Sequence, residues 1–150
     1  MVKWPGGTGA SGNDGIARYV NYVKGSIGYV ELSYAIEHKM AVAQLRNRSG
    51  AFVAPSPESF EAAAANATWA AADFYQLLTD APGEQSWPIT ATTFALVPRQ
   101  AKDPARTAEA LRFFKYSLEQ GKQDARRLNY VPLPEPLTQR IQAYWDSGAK

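Results

Sequence analysis

The chain has 150 residues, a length that fits one domain of ordinary size, and its 45% hydrophobic and 20% charged residues exclude a disordered chain and fit a soluble globular one. A net charge of +2, with basic residues scattered apart from Arg126-Arg127, leaves no electrostatic footprint for nucleic acid. With no cysteine, disulfides, zinc–thiolate sites and thiol nucleophiles are excluded, and no other cluster of metal-ligand or cofactor-binding type takes their place.

The N-terminus has neither a charged segment followed by an apolar one nor anything resembling a signal peptide, and no run of ~18 apolar residues occurs anywhere. Met1 stands directly before a sequence that reads as mid-domain, which points to an artificial or truncated start. The run from Lys3 to Gly15 places five glycines in ten positions, Gly6 to Gly15, and ends on helix-starting residues. Glycines let the backbone take positive φ and approach a partner closely, and Asn13 and Asp14 are good N-cap residues. A helix N-terminus with free N–H groups suits an anion, so Thr8, Ser11 and Asn13 form a candidate anion loop. The same run also reads as a flexible connection capped into a helix. It matches neither G-x-x-x-x-G-K-[ST] nor a clean G-x-G-x-x-G, and no strand precedes it.

A helix is predicted from about Asn13 to Lys24, with Ile16, Tyr19, Val20 and Val23 on one stripe and Gly25 as the residue after its C-cap. Ile27-Gly28-Tyr29-Val30 reads as a short buried strand, in which Gly28 indicates close backbone approach. Glu31 to Lys39 reads as a short helix with Leu32, Ala35 and Ile36 inward. The single histidine, His38, speaks against a Ser-His-Asp triad and is expected at a solvated helix end. Ala41 to Arg46 alternates weakly as a strand, and Asn47-Arg48-Ser49-Gly50 is a turn cluster. Ser56-Pro57-Glu58 is a strong helix start for a helix running through the alanines to about Asn66. Trp69 to Leu78 is ambiguous between helix and irregular chain. A strand is predicted at about Thr92 to Val97, and Asp103-Pro104 repeats the cap-then-proline signal. Ala108, Leu111, Phe114 and Leu118 mark one face of a helix ending near Gly121. A helix from Lys122 to Leu128 and a last one carrying Leu137, Ile141 and Trp145 follow, and Ser147 to Lys150 should fray. The aromatic residues recur at helical spacing and read as core. The sum is an α/β chain with too few strands to complete a sheet for its helices.

Several segments in order carry a resemblance. They are Val2-Lys3-Trp4-Pro5 with Gly9 and Gly12-Asn13-Asp14-Gly15-Ile16-Ala17; Gly25-Ser26-Ile27-Gly28-Tyr29-Val30-Glu31 with Tyr34-Ala35; and Trp87-Pro88-Ile89-Thr90-Ala91-Thr92-Thr93-Phe94. The pattern continues through Leu111, Phe113 and Phe114, the Gly121 turn, Asp124-Ala125, Leu128-Asn129-Tyr130, Leu133-Pro134 and Trp145. Together they resemble the periplasmic substrate-binding protein of the phosphate-specific ABC transporter, over roughly the C-terminal half of that family's length. The resemblance implies the late portions of the two lobes of a type II-like periplasmic-binding-protein fold, incomplete as a single chain. Residues 1–86 would be the C-terminal part of the second lobe, 87–97 the hinge or crossing strand, and 98–150 the C-terminal part of the first lobe.

The resemblance further implies a periplasmic parent that binds inorganic phosphate, delivers it to a membrane permease and closes its lobes about the ligand. In the family, phosphate is held by backbone N–H groups, hydroxyls, an arginine and an aspartate. The arginine gives a charge-assisted fork, and the carboxylate accepts the proton that phosphate keeps and sulfate lacks. The arginine, the aspartate and a Ser-Gly-Thr run lie upstream of the segment that Lys3-Trp4-Pro5 matches. No Ser-Gly-Thr occurs here; Ser11-Gly12-Asn13 and Ser49-Gly50-Ala51 are the nearest strings and do not align with it. No phosphate ligand is therefore carried over to any residue of this chain. Two other readings stand beside this one. One is a non-binding structural fragment that pairs as a swapped homo-oligomer through faces such as Leu111/Phe114/Leu118. The other is a phosphate-ester hydrolase using Thr8, Ser11 and Asp14, which has no paired base or activated nucleophile to support it.

Overall fold

The structure, a computed structural model, describes residues 3–69, 74–98 and 100–147. The chain divides into two compact units, Met1–Ala43 and Gln44–Lys150.

The first unit is built on α1 (Gly12–Tyr22) and α2 (Leu32–Glu37). Ala17, midway along α1, is fully buried, and Ser33 and Ala35 of α2 are the other buried residues. The N-cap of α1 is Ser11, two and three residues before Asn13 and Asp14, which lie in the first turn instead. Helix α1 ends at Tyr22 with Val23 as its C-cap, short of the expected Lys24, so Gly25, at φ 81°, turns the chain two residues past the cap rather than directly after it. The expected strand at Ile27–Val30 is absent, and Ile27 and Tyr29 are 97% and 78% exposed. The close approach at Gly28 is present: a Cβ there would stand 2.8 Å from the Cγ2 atoms of both Ile16 and Val20. The backbone of this segment lies against α1 in place of a neighbouring strand. Ile36, expected inward, is half exposed, because a six-residue helix has only one turn of face to bury. At the end of α2 the Met40 N–H reaches back to the Ala35 carbonyl at 2.9 Å across Lys39, whose φ is 51°.

The second unit opens with a hairpin of β1 (Leu45–Arg46) and β2 (Phe52–Val53), antiparallel, with Leu45 opposite Val53 and Arg46 opposite Phe52. The strand expected over Ala41–Arg46 is thus confined to its last two residues, where a partner exists. The turn cluster makes the hairpin turn, with Asn47 N–H donating to Ala51 O at 2.9 Å and Gly50 N–H to Asn47 O at 2.9 Å. Helix α3 (Pro57–Ala65) starts as the sequence predicts. Ser56 Oγ accepts from the Ser59 N–H, Ser59 Oγ accepts from the Ser56 N–H, and Pro57 occupies the first turn. Buried Ala64, Trp69, Leu78 and Leu137 form the core, with Phe74, Leu133 and Ile141 packed on its rim. The part of the ambiguous Trp69–Leu78 stretch that is described, from Phe74 on, is irregular chain; its residues 70–73 lie outside the described residues, as do 148–150 of the tail expected to fray.

Helices α4 (Pro104–Glu119), α5 (Lys122–Arg127) and α6 (Glu135–Asp146) complete the unit. Asp103 caps α4 by accepting from the Arg106 N–H at 3.1 Å, with Pro104 behind it. Thr92–Val97, predicted as a strand, has no ladder among the described residues. The hairpin is the sole sheet among those residues, which are mainly helix with little strand, short of the α/β sheet expected.

Candidate functional site

Two places invite a functional reading. The first is the glycine-rich approach to α1. Residues 3–12 are all exposed, and nothing stands within 4 Å of where a Cβ would sit at Gly6, Gly7, Gly9 or Gly12. The loop therefore closes around nothing. Thr8 Oγ1 accepts a hydrogen bond from the Tyr19 hydroxyl at 3.4 Å. Ser11 caps α1 by position, without a side-chain hydrogen bond to the helix. Asn13 Oδ1 accepts from the Glu31 N–H at 3.0 Å and so fastens the entry of α2 to the first turn of α1. Asp14 sits beside it, paired to Arg18 at 3.0 Å and 3.5 Å from His38 Nε2. The carboxylate satisfies the positive end of the helix from within the chain, and it puts negative charge where an incoming anion would sit. His38 is the C-cap of α2 and only partly exposed; its role is this contact between the two helices. Among the described residues there is no group of three or more His, Asp or Glu placed to hold a metal ion.

The second place is a cavity of about 930 Å³ in the second unit. It lies between irregular chain at Thr92–Pro98 and the apolar stripes of α4 and α6, with Phe94, Leu111, Phe114, Leu118, Ile141 and Trp145 among its walls. Among the described residues no charged side chain lines it. Its polar groups are a few hydroxyls, and one of them, Thr92 Oγ1, is buried with no hydrogen-bond partner. Such walls cannot replace the hydration shell of a small anion, which needs many fixed donors and a compensating charge. They suit apolar matter. Sequence periodicity picked out the Leu111/Phe114/Leu118 face, but the cavity opposite it was not visible from the sequence, since its floor is set by residues more than forty positions apart.

The remaining polar clusters are structural. Asn47 is buried and uses its whole side chain. Its Nδ2 donates toward the carbonyls of Gly83 (3.1 Å), Glu84 (2.8 Å) and Ser86 (3.2 Å), and its Oδ1 accepts from the N–H groups of Ser49 (3.0 Å) and Ala51 (3.1 Å). Ser86, fully buried, donates to Pro82 O at 2.6 Å and accepts from Asn66 Nδ2 at 3.2 Å. Two exposed carboxyls are held below the ordinary carboxylate range. Glu58 is held there by its own backbone N–H and by Ser56, and Glu135 by the hydrogen bond and charge of Lys122.

The identity of the chain comes from its relatives. No family model matches it. It is 53% identical over 150 residues to a phosphate-binding protein PstS of Xylella fastidiosa, a match covering 99% of this chain and 41% of the relative. The PstS of Pasteurella multocida is 49% identical over 99% of the chain and 44% of its own length. That of Methanocaldococcus jannaschii is 33% identical over 91% of the chain and 39% of its own length. These relatives are all of one class, proteins named for binding phosphate. In particular, the chain is a homologue of the PstS phosphate-binding proteins, and it spans about two fifths of the length of the relatives it matches.

Proposed function

We propose that this chain is the C-terminal portion of the phosphate-binding component of an ABC-type phosphate importer, a portion that itself holds none of the phosphate ligands. The observation that carries the reading is 53% identity across 99% of the chain to a protein named for binding phosphate. The geometry supports the second clause. Thr8 and Asn13 of the glycine loop already have partners within the chain, Asp14 opposes an anion there, and the large cavity is apolar. The parent would have the periplasmic-binding-protein fold, reside in the periplasm, take inorganic phosphate between two lobes and present the closed form to a membrane permease. In that assignment residues 1–86 belong to the second lobe, 87–97 cross between the lobes as a hinge, and 98–150 belong to the first. Pro88 fixes its own φ, so rotation would be absorbed by neighbours such as Thr90 and Thr92. No chemistry is assigned to the chain, and no cofactor is required.

The test uses two polypeptides in isothermal titration with phosphate, with sulfate as control. One is this chain. The other is this chain joined behind the unmatched N-terminal part of the Xylella relative. The chain alone should give no heat at millimolar phosphate, and the fusion should bind phosphate and not sulfate. A folded fusion that ignores phosphate would overturn the receptor assignment. Saturable, phosphate-selective binding by the chain alone would move the ligands into it, with the loop at Thr8, Ser11 and Asn13 the first place to look.

A further inference from the structure

In the proposed lobe assignment, residues 44–86 and 98–150 belong to different lobes, yet they form one compact unit and share its core. Buried Ala64, Trp69 and Leu78 of the earlier segment close on Leu137 of α6. Arg140, three residues further along α6, donates from Nη2 to the Trp69 carbonyl at 2.9 Å. Its guanidinium stands 5.7 Å from the centre of the Phe74 ring. The Phe74 ring in turn meets that of Tyr144 edge-on at 5.4 Å. Arg126 of α5 also pairs with Glu61 of α3 at 3.6 Å, an exposed contact that adds little. Trp69 and Phe74 both hold a left-handed backbone, at φ 44° and 58°, which side chains of that bulk rarely adopt. Such conformations persist only where the surroundings impose them, and they cluster at clamps and switches. Here α6 does the imposing, through Arg140 on Trp69 and through Arg140 and Tyr144 on Phe74.

Rotation of one lobe against the other about residues 87–97 would displace α6 from Trp69 and Phe74. These contacts therefore belong to one state of the receptor and not to the other. The joined surfaces are apolar, and neither carries a phosphate ligand in the receptor reading, so they are not walls of an anion cleft. Contacts between lobes that lie outside the cleft form as the cleft opens and part as it shuts. We infer that Arg140 and Tyr144 of α6, closed on Trp69 and Phe74, are a latch for the open form that sets phosphate affinity without touching phosphate. Phosphate needs the shut form, so it is bound more weakly in proportion as the latch holds the lobes apart. The inference rests on the receptor reading and on its lobe boundaries.

The test uses the fusion of this chain behind the unmatched N-terminal part of the Xylella relative. It is titrated with phosphate, and lobe closure is followed by small-angle scattering. Arg140→Ala removes the hydrogen bond to Trp69 and the charge over Phe74. Phe74→Leu keeps an apolar side chain and removes the ring contacts, and it carries the measurement should Arg140→Ala not fold. Both variants should bind phosphate about fivefold more tightly than the unsubstituted fusion. Both should also be less stable to chemical denaturation without phosphate, and more compact in scattering before phosphate is added. Asp103→Ala, which removes the cap of α4 and leaves these contacts in place, should lower stability and leave the affinity alone. A purely structural role does not loosen the fold and tighten the ligand together. Variants that lose stability with phosphate affinity unchanged would overturn the inference and put residues 44–86 in one lobe with α6. Weaker phosphate binding by the folded variants would overturn it as well, since the contacts would then belong to the shut form. An unsubstituted fusion that folds and ignores phosphate removes the receptor reading, and the latch with it. An unsubstituted fusion that binds, beside variants that bind equally, removes the latch alone.

Discussion

Residues 44–88 and residues 92–145 belong to one unit, yet they are finished to different degrees. In the first stretch the buried polar side chains of Asn47, Ser59 and Ser86 all meet partners. Asn47 alone ties the hairpin turn to the 83–86 loop with three hydrogen bonds and braces the turn itself with two more, Trp87 N–H donates to Ser59 O at 3.0 Å, and Asp80 N–H to Pro88 O at 2.8 Å. In the second stretch a long, well-capped helix covers a void, and strand-like chain lies without a ladder. The lesson is that local signals and tertiary closure are separable. Capping and propensity act within a few residues, so α4 forms on its own start signal. Closure needs partners from far along the chain, and on this side they are not among the described residues.

Breaking the finished side should have the largest effect. Asn47→Ala would leave several carbonyls and two N–H groups unpaired in a buried place. The expected loss is about 3 kcal/mol or more, read by chemical denaturation. Gly83→Ala should follow at about 2 kcal/mol. Gly83 sits at φ 107°, and a Cβ there would meet Asn66 Nδ2 at 2.3 Å and so disturb the Asn66–Ser86 hydrogen bond. Ser56→Ala removes the cap of α3 and should cost about 1 kcal/mol. On the open side Leu111→Ala should cost less than about 1 kcal/mol, because the side chain already faces empty space and leaves no new cavity behind. A Leu111→Ala cost of 3 kcal/mol would mean that the cavity is closed in solution. The smallest effect is with pH. Both Glu58 and Glu135 have lowered folded-state values, so their contribution is present above the unfolded value of 4.5 and is lost as pH falls through the folded values. The loss should therefore be confined to acid, and it should shrink with added salt because both groups are exposed.

Much of this was legible in the sequence. Ser56-Pro57 and Asp103-Pro104 mark helix starts that the structure keeps, because a side-chain cap and a proline act on the next turn alone. The turn at Asn47–Gly50 and the close approach at Gly28 were also readable. Strands were not, since a strand exists only with its neighbour. Ile27–Val30 lies against α1, Ala41–Arg46 is a strand only where Phe52–Val53 meets it, and Thr92–Val97 has no neighbour among the described residues. The anion loop read from glycines and helix-starting residues failed to declare its internal commitments. The partners of Thr8 and Asn13, namely Tyr19 and Glu31, are set by how α1 and α2 pack.

Amide hydrogen exchange on the isolated chain tests the contrast most directly. The N–H groups of Ser49, Ala51 and Trp87 should be among the slowest in the second unit, and those of Thr92–Val97 should exchange close to the unprotected rate. Protection of Thr92–Val97 equal to that of Trp87, in a strictly monomeric sample, would contradict the account, because it would place a ladder and a filled cavity where the structure has neither.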